Sequence, residues 1–224
     1  MAPKHMTEHG PNSSSAAILM KQYRELTNPK KSIPSFHISL IDDDIYHWSV
    51  GVMILSEDSP YHGGYFKAQM DFPYDYPYSP PKFRFTPAIF HPNVYRDGNT
   101  CISILHRSGD ATSGEPDGET WNPVQSVESV LISIVSLLTD PNINSPANVD
   151  AAMAWRKDRA SYDRQVAEEV AASKKNIPHG FKMPEATSKA YVANQVEAKE
   201  DVVDDDFWYE SDLSGEEDEE YMSD

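Results

Sequence analysis

The sequence predicts an α+β fold: a four-stranded antiparallel meander with an N-terminal helix before it and further helices after it. Four short apolar runs succeed one another between residues 36 and 85. A helical apolar pattern precedes them, and a broad helical apolar face follows. The loops between the first three runs are short and polar. They allow antiparallel pairing, whereas parallel neighbours need a long crossover.

Residues 1–12 are read as a disordered N-terminus. Ser13, Ser14 and Ser15 offer N-caps for a helix running to about Thr27. Ile18, Leu19, Gln22, Tyr23 and Leu26 share one face of it, with Lys21 and Arg24 toward the other side. Asn28-Pro29 ends it, because proline disfavours helical geometry in the preceding residue. The strands are read at Phe36–Leu40, Trp48–Ile54, Tyr65–Met70 and Lys82–Phe85, each alternating in polarity. Residues 72–81 hold four prolines interleaved with aromatics, which excludes a helix or a central strand. Two readings stand for this loop: a stiff connector packed on the core, or an exposed aromatic docking loop.

Residues 91–105 hold the only cysteine of the chain. Asp97-Gly98-Asn99 forms a turn, Cys101 sits at its exit, and an alternating apolar run follows. A lone cysteine is usually a small buried hydrophobe. Its place at a turn exit, with Asn93 and Tyr95 upstream, points instead to a thiolate nucleophile. Such a thiolate could attack a carbonyl or thioester, and the Asn93 amide could steady an oxyanion. His91 invites a cysteine–histidine dyad, but with Pro92 beside it a structural, hydrogen-bonded histidine is the preferred reading.

Residues 106–120 are read as a mobile loop carrying Asp110, Glu115, Asp117 and Glu119. Structureless loops of that length are often functional. Trp121-Asn122-Pro123 opens a helix over about Val124–Leu138, with Val127, Val130, Leu131, Ile134, Val135 and Leu138 on its buried face. Two more helical stretches are expected, Ala147–Met153 and Trp155–Lys174. The folded region is placed at 13–176, and 177–224 form a linker and an acidic tail.

The net charge of −17 is unevenly distributed. Residues 200–224 hold 13 acidic residues and no lysine or arginine, leaving 23 acidic against 19 basic residues elsewhere. Without a basic surface, nucleic-acid binding is not expected. The tail also carries Phe207, Trp208, Tyr209, Leu213 and Tyr221. Acidic residues flanking aromatics fit docking on a basic, partly apolar groove, or else a passive solubilising tail. Ser214, before Gly215-Glu216-Glu217, reads as an acidophilic kinase target. No stretch approaches 18 consecutive apolar residues, and no secretory h-region is present at the N-terminus. A single cysteine fits a reducing compartment, so cytoplasm and nucleus are expected. No metal is expected, because one cysteine and scattered histidines give no ligand spacing. Phosphate-cradling and serine-hydrolase motifs are missing as well.

His91-Pro92-Asn93 with Cys101 eight residues beyond Asn93 resembles the signature of ubiquitin-conjugating enzymes. So do Phe72-Pro73, Tyr76-Pro77 and Pro80-Pro81-Lys82, then Trp121, then Asp140-Pro141-Asn142. The acidic insertion after Cys101, the acidic tail and Ser145 resemble the cell-division-cycle subfamily that works with cullin–RING (SCF) ligases. The resemblance implies the ubiquitin-conjugating enzyme fold. It implies that Cys101 accepts ubiquitin as a thioester from the activating enzyme and passes it to a lysine, with no bound cofactor and with ATP consumed upstream. Asn93 is implied as oxyanion donor or loop organiser, Tyr95 as lining the lysine approach, and Ser145 as an uncharged gate whose missing charge the acidic loop supplies. Ligase and activating enzyme are implied on Lys21, Arg24, Pro77, Tyr78, Asn122, Pro123 and Val124. The rivals are a cysteine hydrolase using Cys101 and His91, and a non-catalytic ubiquitin-binding module.

Overall fold

The computed structural model describes residues 14–109 and 118–184. Helix α1 spans Ser14–Thr27, followed by β1 (Phe36–Ile41), β2 (Asp44–Met53), β3 (Tyr65–Asp71) and β4 (Lys82–Phe85). The strands form one antiparallel sheet in the order β1-β2-β3-β4, the meander expected from their spacing. Asp42 and Asp43 close the first hairpin with φ of 52° and 57°. Tight hairpins need this left-handed geometry, and aspartate tolerates it better than most residues.

Register explains the core. Ile38, Val50, Ala68 and Phe85 lie in one row across the four strands, and all four are buried. The neighbouring row on the opposite face is Ser39, Ser49, Gln69 and Arg84. Helix α2 (Val127–Thr139) buries Val127, Val130, Leu131, Ile134 and Leu138 in the same core. Each such side chain contributes roughly 1.5–3 kcal/mol relative to exposure.

Helix α2 starts three residues later than the apolar pattern indicates. Asn122 Oδ1 accepts from the Val124 N–H, which makes 122–125 a turn. Ser126 and Ser129 then cap the helix reciprocally. Ser126 is therefore the N-cap. Helices α3 (Val149–Lys157) and α4 (Arg159–Ser173) are also divided differently. Trp155 belongs to α3, and the break falls at Asp158. Its N–H closes α3 on the Ala154 carbonyl, while its carboxylate accepts from Ser161 N–H and opens α4.

The proline loop is a connector packed on the core that also leaves two aromatics exposed. Phe72 and Tyr76 are buried, edge to face with each other, whereas Tyr74 and Tyr78 are 61% and 79% exposed. Beyond Asn176 the chain stays packed: the Phe181 ring lies 4.7 Å from His37 and also edges onto Tyr65.

Candidate active site

The segment before Cys101 is folded by its own backbone. Val94 pairs with Thr100 across the turn, and the Tyr95 N–H donates to the Asn99 carbonyl at 2.9 Å. The Asp97 carboxylate accepts from both the backbone N–H and the side-chain amide of Asn99. Gly98 has φ +90°, and its carbonyl accepts from the Phe85 N–H, which pins the turn to β4. A Cβ at position 98 would stand 2.1 Å from the Phe85 carbonyl oxygen, so only glycine fits. Cys101 is partly exposed, and its N–H donates to the Asn93 carbonyl at 2.9 Å.

After Cys101 the expected extended run is replaced by a short 3-10 turn, Ser103–Leu105. The N–H groups of Leu105 and His106 close it on the carbonyls of Ile102 and Ser103. Ile104 turns inward and is buried. Alternation over four residues fits either geometry, and the inward Ile104 decides between them.

His91 is fully buried. Its Nδ1 accepts from the Asn93 N–H at 3.0 Å, which leaves Nε2 to donate to the Leu137 carbonyl at 3.0 Å. Burial pushes its pKa down to about 3, against a smaller upward pull from that carbonyl. The ring is neutral near pH 7, with both nitrogens committed. No lone pair is left for Cys101, so the hydrolase alternative lacks its base.

The Asn93 side chain turns toward the loop after α2. Its Nδ2 donates to the carbonyls of Asn142 at 2.8 Å and Ser145 at 3.4 Å, and its Oδ1 accepts from the Asn142 N–H. From the other side, Arg156 of α3 donates to the Ile143 carbonyl and to Asn144. The Asn148 N–H donates to the Pro92 carbonyl at 2.9 Å. Asn93 and the exposed Ser145 are thus brought together through the Ser145 backbone. Tyr95 is 45% exposed, and its phenol meets the Cys101 thiol. That hydrogen bond and the neighbouring sulfur charge raise the phenol above its usual pKa.

Several supports are invisible to local sequence patterns. Tyr61 donates to the Phe90 carbonyl, meets the Tyr162 hydroxyl at 2.6 Å, and lies beside His91. Glu169 of α4 accepts from the Phe90 N–H at 2.8 Å. Sequence separations of 79 and 101 residues leave no periodic signal. Asp140-Pro141-Asn142 is the one local cue to this shell.

The docking candidates form a second region. Trp121 Nε1 donates to the Pro77 carbonyl, tying the proline loop to the start of the α2 segment. Gln22 of α1 accepts from the Tyr76 hydroxyl and the Val127 N–H. Tyr78, Pro123 and Val124 are exposed, as are Lys21 and Arg24, while Pro77 and Asn122 are half-buried. Glu119 is exposed. Asp110, Glu115 and Asp117 lie outside the described residues, as do Phe207, Trp208, Tyr209, Leu213, Ser214 and Tyr221.

A family model described as ubiquitin-conjugating enzyme matches residues 18–170, which contain the sheet, the cysteine turn and the clamped 142–145 loop. The chain belongs to the ubiquitin-conjugating enzyme family. It is 62% identical over 210 residues to the ubiquitin-conjugating enzyme E2-34 kDa of Saccharomyces cerevisiae, covering 92% of this chain and 70% of that one. It is 45% identical over 168 residues to ubiquitin-conjugating enzyme E2 14 of Arabidopsis thaliana, covering 74% of this chain and 99% of that one. A probable ubiquitin-conjugating enzyme E2 7 of Caenorhabditis elegans is 47% identical over 161 residues, or 71% of this chain and 96% of that one. The α+β meander is accordingly the ubiquitin-conjugating enzyme fold. As a ubiquitin-conjugating enzyme, the protein is a transferase with ubiquitin and the activating enzyme as partners.

Proposed function

We propose that Cys101 carries ubiquitin as a thioester and passes it to lysines with a cullin–RING ligase. The observation that carries this is the chain's one thiol, partly exposed at the exit of a glycine-pinned turn, within the region matched by the family. The Cys101 thiolate attacks the activating enzyme's thioester, exchanging one carbon–sulfur bond for another. A neutral acceptor amine then attacks the carbonyl, a carbon–nitrogen bond forms, the nitrogen releases a proton to solvent, the carbon–sulfur bond breaks, and Cys101 leaves as thiolate. In this reading Asn93 organises the acceptor-side loop, Tyr95 lines the approach to the sulfur, and Ser145 stands at the gate without charge. No cofactor is bound, and ATP is used upstream by the activating enzyme.

With activating enzyme, ATP and ubiquitin, the wild type is expected to form a thiol-sensitive adduct that Cys101→Ala abolishes. An adduct persisting in that variant rejects Cys101 as the carrier.

The finer assignment rests on charge and on the resemblance carried by the acidic insertion, the acidic tail and Ser145. The tail, with 13 acidic residues between 200 and 224, would seat on a basic groove of the cullin and raise the association rate. The products would be degradation-type chains, in cytoplasm and nucleus, in the service of the cell cycle. Deleting residues 200–224 is expected to slow ligase-dependent transfer at least about tenfold at low salt and much less at high salt, since steering is screened. Equal rates for the full and shortened chains at low salt would reject the steering role.

A further inference from the structure

A cleft of about 540 Å³ lies beside the cysteine turn. Tyr95, Arg96 and Asp97 form one wall, and residues 147–150 form the other. Tyr95, whose phenol meets the Cys101 thiol, lines this cleft, which places the cleft next to the cysteine.

The charges in the cleft are unequal in availability. Asp150 is engaged by Arg96 at 2.6 Å on the exposed rim. Ser145, in the adjoining loop, is uncharged. Asp97 has no ion-pair partner among the described residues. Its two recorded hydrogen bonds, both from Asn99, leave lone pairs on each carboxylate oxygen. Its negative charge reaches the Tyr95 phenol next to the sulfur.

We propose that Asp97 is a specificity-determining residue that binds the ammonium of the incoming lysine beside Cys101. This rests on the reading of Cys101 as thioester carrier. A charge-assisted hydrogen bond to Asp97 holds the amine in the cleft and favours cationic acceptors over neutral ones. An ionised carboxylate keeps its partner protonated, so Asp97 acts by capture and placement rather than as a base. The bound ammonium loses its proton to solvent. The freed nitrogen lone pair attacks the thioester carbonyl, the carbon–nitrogen bond forms, the nitrogen gives a second proton to solvent, the carbon–sulfur bond breaks, and Cys101 departs as thiolate.

The test follows discharge of preloaded ubiquitin thioester to free lysine, cationic at pH 7, and to hydroxylamine, neutral at pH 7. Asp97→Asn, which retains an acceptor for the Asn99 N–H, is expected to raise the apparent KM for lysine about tenfold, as for the loss of one charge-assisted contact. Hydroxylamine discharge should stay within about twofold, and the lysine effect should shrink in high salt. The other groups that titrate or carry charge in this cleft are Tyr95, Arg96 and Asp150. Asp150→Asn frees Arg96 to pair with Asp97, so it too should raise the lysine KM without touching the turn. An equal loss toward both nucleophiles, or unchanged lysine kinetics in both variants, overturns the assignment. Formation of the Cys101 thioester is read in the same reactions, so a failure of the carrier reading shows as absent loading rather than altered KM.

Discussion

Replacing Asn93 with alanine is expected to lower the stability of the free enzyme by about 2–3 kcal/mol and to slow lysine discharge about a hundredfold. The first effect follows from burial. Asn93 is 2% exposed, and its side chain makes three hydrogen bonds to the backbone of residues 142–145. Alanine leaves the Asn142 N–H and two carbonyls without their partner on the side of the loop that faces the buried position 93. Each such buried orphan costs about 1–3 kcal/mol, reduced where the loop relaxes toward solvent. The second effect follows from position. The released loop carries Ser145 and leads into the cleft wall at 147–150, and a misplacement of about 1 Å near reacting groups can cost a hundredfold. Loading of Cys101 should fall by less than about tenfold, because the Cys101 N–H is held by the Asn93 backbone carbonyl, which alanine keeps.

This outcome separates the two roles left open by sequence. An Asn93 whose main work is to donate to an oxyanion would lose transfer with little change in stability. Denaturant unfolding of the unloaded enzyme, set beside single-turnover discharge, distinguishes them. Unchanged stability with lost transfer would reject the loop-organising role. Asn93→Asp should be worse than alanine for stability, because a carboxylate would face the Asn142 and Ser145 carbonyls where an N–H donor now sits.

What could be read without coordinates follows from the range of the forces involved. Strand positions were legible because alternation is local: Lys82–Phe85 is the same four residues in sequence and structure, and the other strands differ only at their ends. The cysteine turn was legible because Asp-Gly-Asn encodes its own geometry. Helix boundaries were less so. Apolar periodicity continues through Val124, but the side-chain caps at Asn122 and Ser126 decide where α2 starts. Asp158 serves two helices at once, which periodicity does not register. The direction of the Asn93 amide was not legible, since its partners lie 49 and 52 residues away. For the same reason Asp97 read only as a turn former. Its place in the cleft depends on the loop that Asn93 and Arg156 hold opposite it.

Between pH 7 and pH 4.5 the wild type is expected to lose about 2.5 kcal/mol of stability through His91 alone. The folded pKa of about 3 lies below the unfolded value of 6.5. In that window the unfolded chain binds a proton at this site and the folded protein does not. Stability therefore falls with pH from 6.5 downward and stops falling near 3. Burial of Glu169 works in the opposite sense: its carboxyl is raised, so its protonation favours the folded state as pH drops. The His91 contribution is expected to dominate, because His91 is fully buried and its shift is large, whereas Glu169 is half-buried and accepts the Phe90 N–H, which pulls its pKa back down. The measurement is unfolding of wild type and His91→Gln at both pH values. At pH 7 the variant should be less stable, having lost the paired contacts to Asn93 and Leu137. At pH 4.5 the gap should narrow by about 2.5 kcal/mol, since glutamine does not titrate. Parallel pH profiles would mean that His91 charges inside the fold, which the Asn93 N–H directed at Nδ1 opposes. The same geometry carries over to the reaction: a ring that stays neutral with both nitrogens occupied contributes no inflection near pH 6.5 to lysine discharge.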